Sequence, residues 1–129
     1  MTDIASRAQS VLPRPEDLET YYVCFLFPGP NHSEDLRESE AGPALLQMHV
    51  SHVWSSQHGD GPAIAGGPLV ADDSPELPVG MSILRANSLT EAQHLAAIDP
   101  AVVTGHFRAA VVPWLVAPGR FGDGRPLGN

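Results

Sequence analysis

The punctuation of this chain constrains its fold more than any other feature. Thirteen prolines and twelve glycines fall mainly between apolar runs and at the two ends, so every regular element is short and its limits are marked. Thr20 to Phe27 (TYYVCFLF) is aromatic and β-branched, and Pro28-Gly29-Pro30 stops it, which predicts a strand. Being apolar on both faces, that strand belongs in a sheet interior. Pro43 suits the first turn of a helix, where its missing N–H costs nothing. From there to about His58 the spacing is helical: at about 100° per residue, Leu46, His49, Val50, Val53 and Gln57 share one stripe. Gly59 and Gly61 end it.

The second half repeats the pattern. Ala63 to Val70 (AIAGGPLV) is a short strand in which Gly66-Gly67-Pro68 marks a bulge or a close backbone approach. Gly80 to Ala86 (GMSILRA) is the next strand. Ser88-Leu89-Thr90-Glu91 forms a capping box, with Ser88 capping the third helical N–H and Glu91 reaching back to Ser88. Ala92, Leu95 and Ala96 continue that helix on one face until Asp99-Pro100 interrupts it. Ala101 to Gly105 can add one further turn. Phe107 to Val116 (FRAAVVPWLV) is the last strand, and its Pro113 requires an edge position or a bulge.

The order strand, helix, strand, strand, helix, strand is the ferredoxin-like βαββαβ order of an α+β domain, with a four-stranded antiparallel sheet. Residues 19–116 make up the domain, 1–18 an extended N-terminal arm and 117–129 a Gly/Pro-rich tail. Two helices cover one sheet face only, and the apolar strands offer no polar face to water. A second copy is the simplest cover, so a homodimer packed sheet to sheet is expected.

Composition narrows the partners. A formal net charge of −8, with only seven Lys and Arg and no basic patch, argues against nucleic acid. No apolar run approaches the roughly 18 residues of a membrane span. The N-terminus lacks the basic and apolar regions of a secretory signal, so a cytoplasmic location is expected. The single cysteine, Cys24, sits in an apolar run as a small buried hydrophobe.

The chemistry lies with ionisable groups on apolar structure. His49 interrupts the apolar stripe of the first helix, where it is either a core histidine satisfied by a carbonyl or a general acid or base. Asp99, on a helix expected to lie beside the first, is either a helix-ending Asp-Pro turn or the carboxylate that orients His49. His52 points about 60° off the stripe, toward Leu45 and Met48, and no Cys/His cluster completes a metal site around it and His58. His32, His94 and His106 are expected at exposed positions. Gly66-Gly67-Pro68 lacks the lysine and following helix of a phosphate loop. The acidic stretch from Ser33 to Glu40 is a solvated loop placed to serve as a lid. Tyr21, Tyr22, Phe25, Trp54 and Trp114 either line an aromatic pocket or belong to the core.

The succession Tyr21-Tyr22-Val23, His49-Val50, Gly67-Pro68-Leu69, Ser88-Leu89-Thr90-Glu91-Ala92, Asp99-Pro100 and Val112-Pro113-Trp114 resembles the YCII-related domain proteins of the dimeric α/β-barrel superfamily. The resemblance covers about Tyr21 to Val116. It implies a ferredoxin-like homodimer and an active site built from the helix histidine and the aspartate of Asp-Pro, here His49 and Asp99. It points to a small cofactor-independent enzyme performing acid–base chemistry, either dehydrochlorinase-like elimination or isomerisation, on a ring-derived molecule. Tyr22, His52, Val53, Pro68 and Trp114 are the side chains expected around its substrate. The alternatives are a cofactor-free monooxygenase and a non-catalytic ligand-binding module. A further one is a His49–Asp99 hydrogen bond of purely structural use.

Overall fold

The computed structural model describes residues 14–32, 40, 42–58, 62–70, 74 and 76–121, with the backbone alone described for 53–58. The expected lid lies outside the described residues except for exposed Glu40, as do residues 1–13 and 122–129. A 3-10 turn, Pro15–Asp17, leads into β1 (Glu19–Pro28). Then follow α1 (Gly42–His58), β2 (Ala63–Pro68), β3 (Gly80–Leu84), α2 (Leu89–Ala97), the single turn α3 (Pro100–Val103) and β4 (Phe107–Val116).

The four strands form one antiparallel sheet in the order β2-β3-β1-β4, which is the ferredoxin-like arrangement. β1 is interior, as its apolar composition requires, and pairs Cys24 with Ser82 on one side and with Val111 on the other. β4 is an edge strand, so Pro113 withholds no ladder hydrogen bond from a further neighbour. The irregularity in β2 falls between Ala63 and Ala65, whereas Gly66, Gly67 and Pro68 stay in register with β3. The glycine run therefore does not form the bulge. At Gly66 the alternative holds: a Cβ there would come within 3.0 Å of Ser82 Cβ.

Local capping follows the sequence with one shift. Ser88 Oγ accepts from Glu91 N–H at 3.1 Å, but Glu91 Oε2 reaches past Ser88 to Asn87 N–H at 3.0 Å. Asp99 caps α3, its Oδ1 accepting from Ala101 N–H at 2.9 Å, with Pro100 occupying the first helical position.

The end of β1 is fixed to the start of β4 by backbone. Gly29 N–H donates to His106 O at 2.8 Å and Asn31 N–H to Gly105 O at 2.8 Å. Asn31 Nδ2 adds a bond to Thr104 O at 2.9 Å. Gly105 adopts φ +79°, and a Cβ on Gly29 would overlap the Gly105 carbonyl oxygen, so glycine is required at both positions. This crossing sets the start of β4, and with it Phe107, under α1.

The core sits between sheet and helices. Tyr22, Cys24, Ala63 and Leu84 pack against Ala92 and Ala96 of α2, with Leu26, Leu95, Ala109 and Val111 around them. The small alanines let α2 lie close to the strands. On the opposite face Tyr21 and Val23 are buried, but Val112 and Trp114 are 48% and 40% exposed. The described part of the tail covers one end of that face. Phe121 lies edge-on to Tyr21 (4.9 Å between ring centroids) and to Trp114 (5.8 Å). Glu19 fastens it, accepting from Gly119 N–H and from the Tyr21 hydroxyl.

Candidate active site

α1 rests on β2 at one sheet edge and on α3, which leaves a space between it, α2 and the strands. That space is a cavity of about 500 Å³, within the range usual for small-molecule sites. Leu46, Val50, Leu95 and Ile98 form its helical side, Leu26 and Leu84 line the sheet side, and Phe107 lies at the start of β4.

His49 and Asp99 meet in this wall. His49 Nδ1 lies 2.8 Å from Asp99 Oδ2 and 3.0 Å from Oδ1. Asp99 is 5% exposed, and the bond from Ala101 N–H holds its carboxyl group in place. An ionised carboxylate can only accept, so Nδ1 carries the hydrogen, and in the neutral ring the lone pair is left on Nε2. The edge of Phe107, 5.4 Å away centroid to centroid, limits the tilt of the imidazole. The arrangement is one basic nitrogen, fixed in tautomer and direction, on the wall of a mostly apolar cavity.

Two further titratable groups surround the pair. Burial pushes the Cys24 thiol up to about 11, the Asp99 charge adds to that shift, and the Ser82 hydroxyl opposes it. His106 is buried, not exposed as its loop position implied, because the Gly29–Gly105 crossing folds it inward. Burial holds its pKa below the ordinary imidazole value, and the neighbouring His32 lowers it further. His32 is half-buried, also against expectation, with its ring 4.7 Å from that of His106. His94 is exposed. Among the described residues, no three or more His, Cys, Asp or Glu side chains gather into a group able to hold a metal ion.

The model of the YCII-related domain matches residues 20–115, from the second residue of β1 to the last but one of β4. The chain belongs to the YCII-related domain family. The match takes in both His49 and Asp99 and leaves Phe121 outside. No curated protein matches the sequence. Among solved structures, 5-chloro-2-hydroxyhydroquinone dehydrochlorinase from Burkholderia phenoliruptrix AC1100, in complex with 2,5-dihydroxybenzoquinone, is 16% identical. Its alignment covers 73% of this chain and 92% of that one, with a TM-score of 0.47.

Within this YCII domain the expected pocket residues separate. His52 and Pro68 line the cavity beside His49. His52 was expected off the stripe, but the space between α1 and the sheet is wide enough to take in both histidines. Tyr22 does not reach the cavity, because it is consumed by the core against Ala92 and Ala96. Trp114 lies on the far side of the sheet: Pro113 pairs with Tyr22 on the helix-facing side, so the next residue points away. Tyr21 is likewise on that far face, under Phe121. The Val53 and Trp54 side chains lie outside the described residues. Sequence reasoning missed Phe107, Gly80 and Ser82. Strand alternation carried the signal, since Phe107, Gly80 and Ser82 share the face of Leu26 and Cys24 once the register is known.

Proposed function

We propose that this YCII domain is a cofactor-independent enzyme that moves a proton on a small, largely apolar organic molecule held in the cavity. His49 serves as general base through Nε2 and returns the proton as general acid, while Asp99 is the positioning residue that fixes the tautomer and stabilises the imidazolium. The observation that carries this reading is the 2.8 Å bond from His49 Nδ1 to a buried, capped carboxylate in a cavity wall. A positioned base of this kind contributes roughly 10²–10⁴-fold to a proton-transfer step, and an apolar enclosure keeps water from competing. Elimination of a leaving group from a ring-derived substrate and isomerisation through an enol both need only such a base.

The working unit in this proposal is a homodimer. Phe25, Phe27, Met81 and Ile83 are half-buried on the outer sheet face, next to exposed Val112 and Trp114, and a second copy of the same face gives them cover. Sedimentation should show two chains, and Val112→Glu should shift the protein to one.

The catalytic test is a panel of chlorinated hydroxyhydroquinones and enolisable cyclic ketones, read by chloride release and by deuterium uptake from heavy water. His49→Ala is expected to abolish turnover and leave the fold and association state unchanged. Full activity in that variant sinks the assignment. Oxygen consumption without added flavin or metal would favour a monooxygenase instead. Ligand stabilisation with no product from any member would favour a binding module.

A further inference from the structure

The cavity exists because of what two strands lack. On the helix-facing side, alternation places Gly66 and Pro68 of β2 beside Ser82 and Gly80 of β3, and these in turn beside Cys24 and Leu26 of β1. One step further along, Ala63, Leu84 and Tyr22 fill the same side and belong to the core. The space opens where side chains stop.

The two glycines have different causes. A Cβ on Gly66 would lie 3.0 Å from Ser82 Cβ and 3.2 Å from Met81 O, so close strand packing accounts for that residue. A Cβ on Gly80 would meet Leu26 Cδ1 at 3.5 Å and Gly67 O at 3.6 Å, which are ordinary contacts, and its backbone is not in the left-handed region. The fold therefore has room for a side chain at position 80, and that room is the cavity itself. Facing the aliphatic side chains of α1 and α2, the sheet side is lowest at Gly80 and Gly66, between Leu26, Pro68 and Leu84. Among the described residues its wall carries no lysine or arginine, and it does carry the Asp99 carboxylate, which disfavours an anionic ligand. The half-buried Ser82 hydroxyl, on the sheet floor, bonds the Cys24 sulfur and keeps lone pairs that can accept from a ligand hydroxyl.

We propose that Gly80 sets the size, and Ser82 the orientation, of a small, uncharged, hydroxyl-bearing ligand taken by this cavity. The inference rests on reading the cavity as the substrate site, and it adds what that substrate must look like.

Calorimetric titration of the full chain with phenol, 1-naphthol, 1-methylnaphthalene and benzoate tests it. The unaltered protein should bind 1-naphthol more tightly than either 1-methylnaphthalene or benzoate. Gly80→Val should weaken 1-naphthol by at least about tenfold while leaving phenol unchanged, with Gly80→Ala in between. Ser82→Ala should remove a preference of about tenfold for 1-naphthol over 1-methylnaphthalene. Unaltered 1-naphthol binding in folded Gly80→Ala and Gly80→Val overturns the proposal for Gly80, and Gly80→Ala alone decides it where the larger variant does not fold. Tighter binding of benzoate, or an intact preference in Ser82→Ala, overturns the ligand class. In a His49→Gln background the Gly80 and Ser82 substitutions should produce the same relative changes in binding. A failure of proton transfer would thus appear in turnover alone, and a failure of the present inference in binding alone.

Discussion

Replacing Asp99 by asparagine changes something that can be followed without a substrate: which nitrogen of His49 carries the hydrogen. The carboxylate now accepts from Nδ1 at 2.8 and 3.0 Å while Oδ1 also accepts from Ala101 N–H at 2.9 Å. An asparagine keeps one oxygen for the α3 cap, worth about 1 kcal/mol, and that choice turns its NH₂ toward His49. Two donors cannot face each other, so the imidazole moves its hydrogen to Nε2 and Nδ1 becomes the acceptor. A charge-assisted bond is exchanged for a neutral one, a loss of about 1 kcal/mol. Asp99→Ala removes the cap and the bond together, at about 3 kcal/mol. Long-range ¹H–¹⁵N correlation spectra of the imidazole, recorded with the ring neutral, should show Nδ1–H in the unaltered protein and Nε2–H in Asp99→Asn. Urea titrations should rank Asp99→Ala as the more costly change. Where turnover is found, Asp99→Asn should reduce it by up to about 10⁴-fold, the scale of the same exchange in an Asp–His–Ser triad. An unchanged tautomer in Asp99→Asn would refute the reasoning, because Asp99 would then not be what orients the ring.

Three other perturbations probe the frame around the site. The Cys24 thiol titrates at about 11 in the fold against about 9 when free. Between those values the unfolded chain loses its proton first, so stability should fall as pH rises from about 9 to about 11, and Cys24→Ala should flatten that slope in urea titrations. Phe121→Ala should cost about 1–2 kcal/mol in thermal melts, since it removes ring contacts to Tyr21 and Trp114. Gly29→Ala should cost about 1–3 kcal/mol, because the added Cβ meets the Gly105 carbonyl, which is backbone and cannot rotate away.

The order of elements was legible because glycine and proline mark their limits, the strands are aromatic or aliphatic runs, and the first helix shows an apolar stripe. The interior place of β1 followed from its lack of a polar face, while Pro113 left β4 either an edge place or a bulge, and the sheet order decides for the edge. His49 and Asp99 were legible as a pair because each breaks a local pattern, an imidazole in an aliphatic stripe and a carboxylate before proline. The cavity floor was not legible. Gly80 and Ser82 look like ordinary strand residues until the register puts them beside Leu26 and Cys24. Trp114 was assigned to the pocket on its aromatic character, but strand parity decides its face. His106 looked exposed because its burial comes from the Gly29–Gly105 crossing, a contact between segments far apart in the chain. In the same way, the hold of Phe121 on Tyr21 joins the two ends of the domain, which no local pattern reports.

The central claim is that His49, held by Asp99, is the base of this domain. Deuterium exchange into a carbon acid found to turn over in the cavity tests it most directly, with the unaltered protein and His49→Gln compared at equal occupancy. The account predicts a fall of at least about 10²-fold in the glutamine variant at that occupancy. Exchange at the unaltered rate in a folded, ligand-saturated His49→Gln would contradict it.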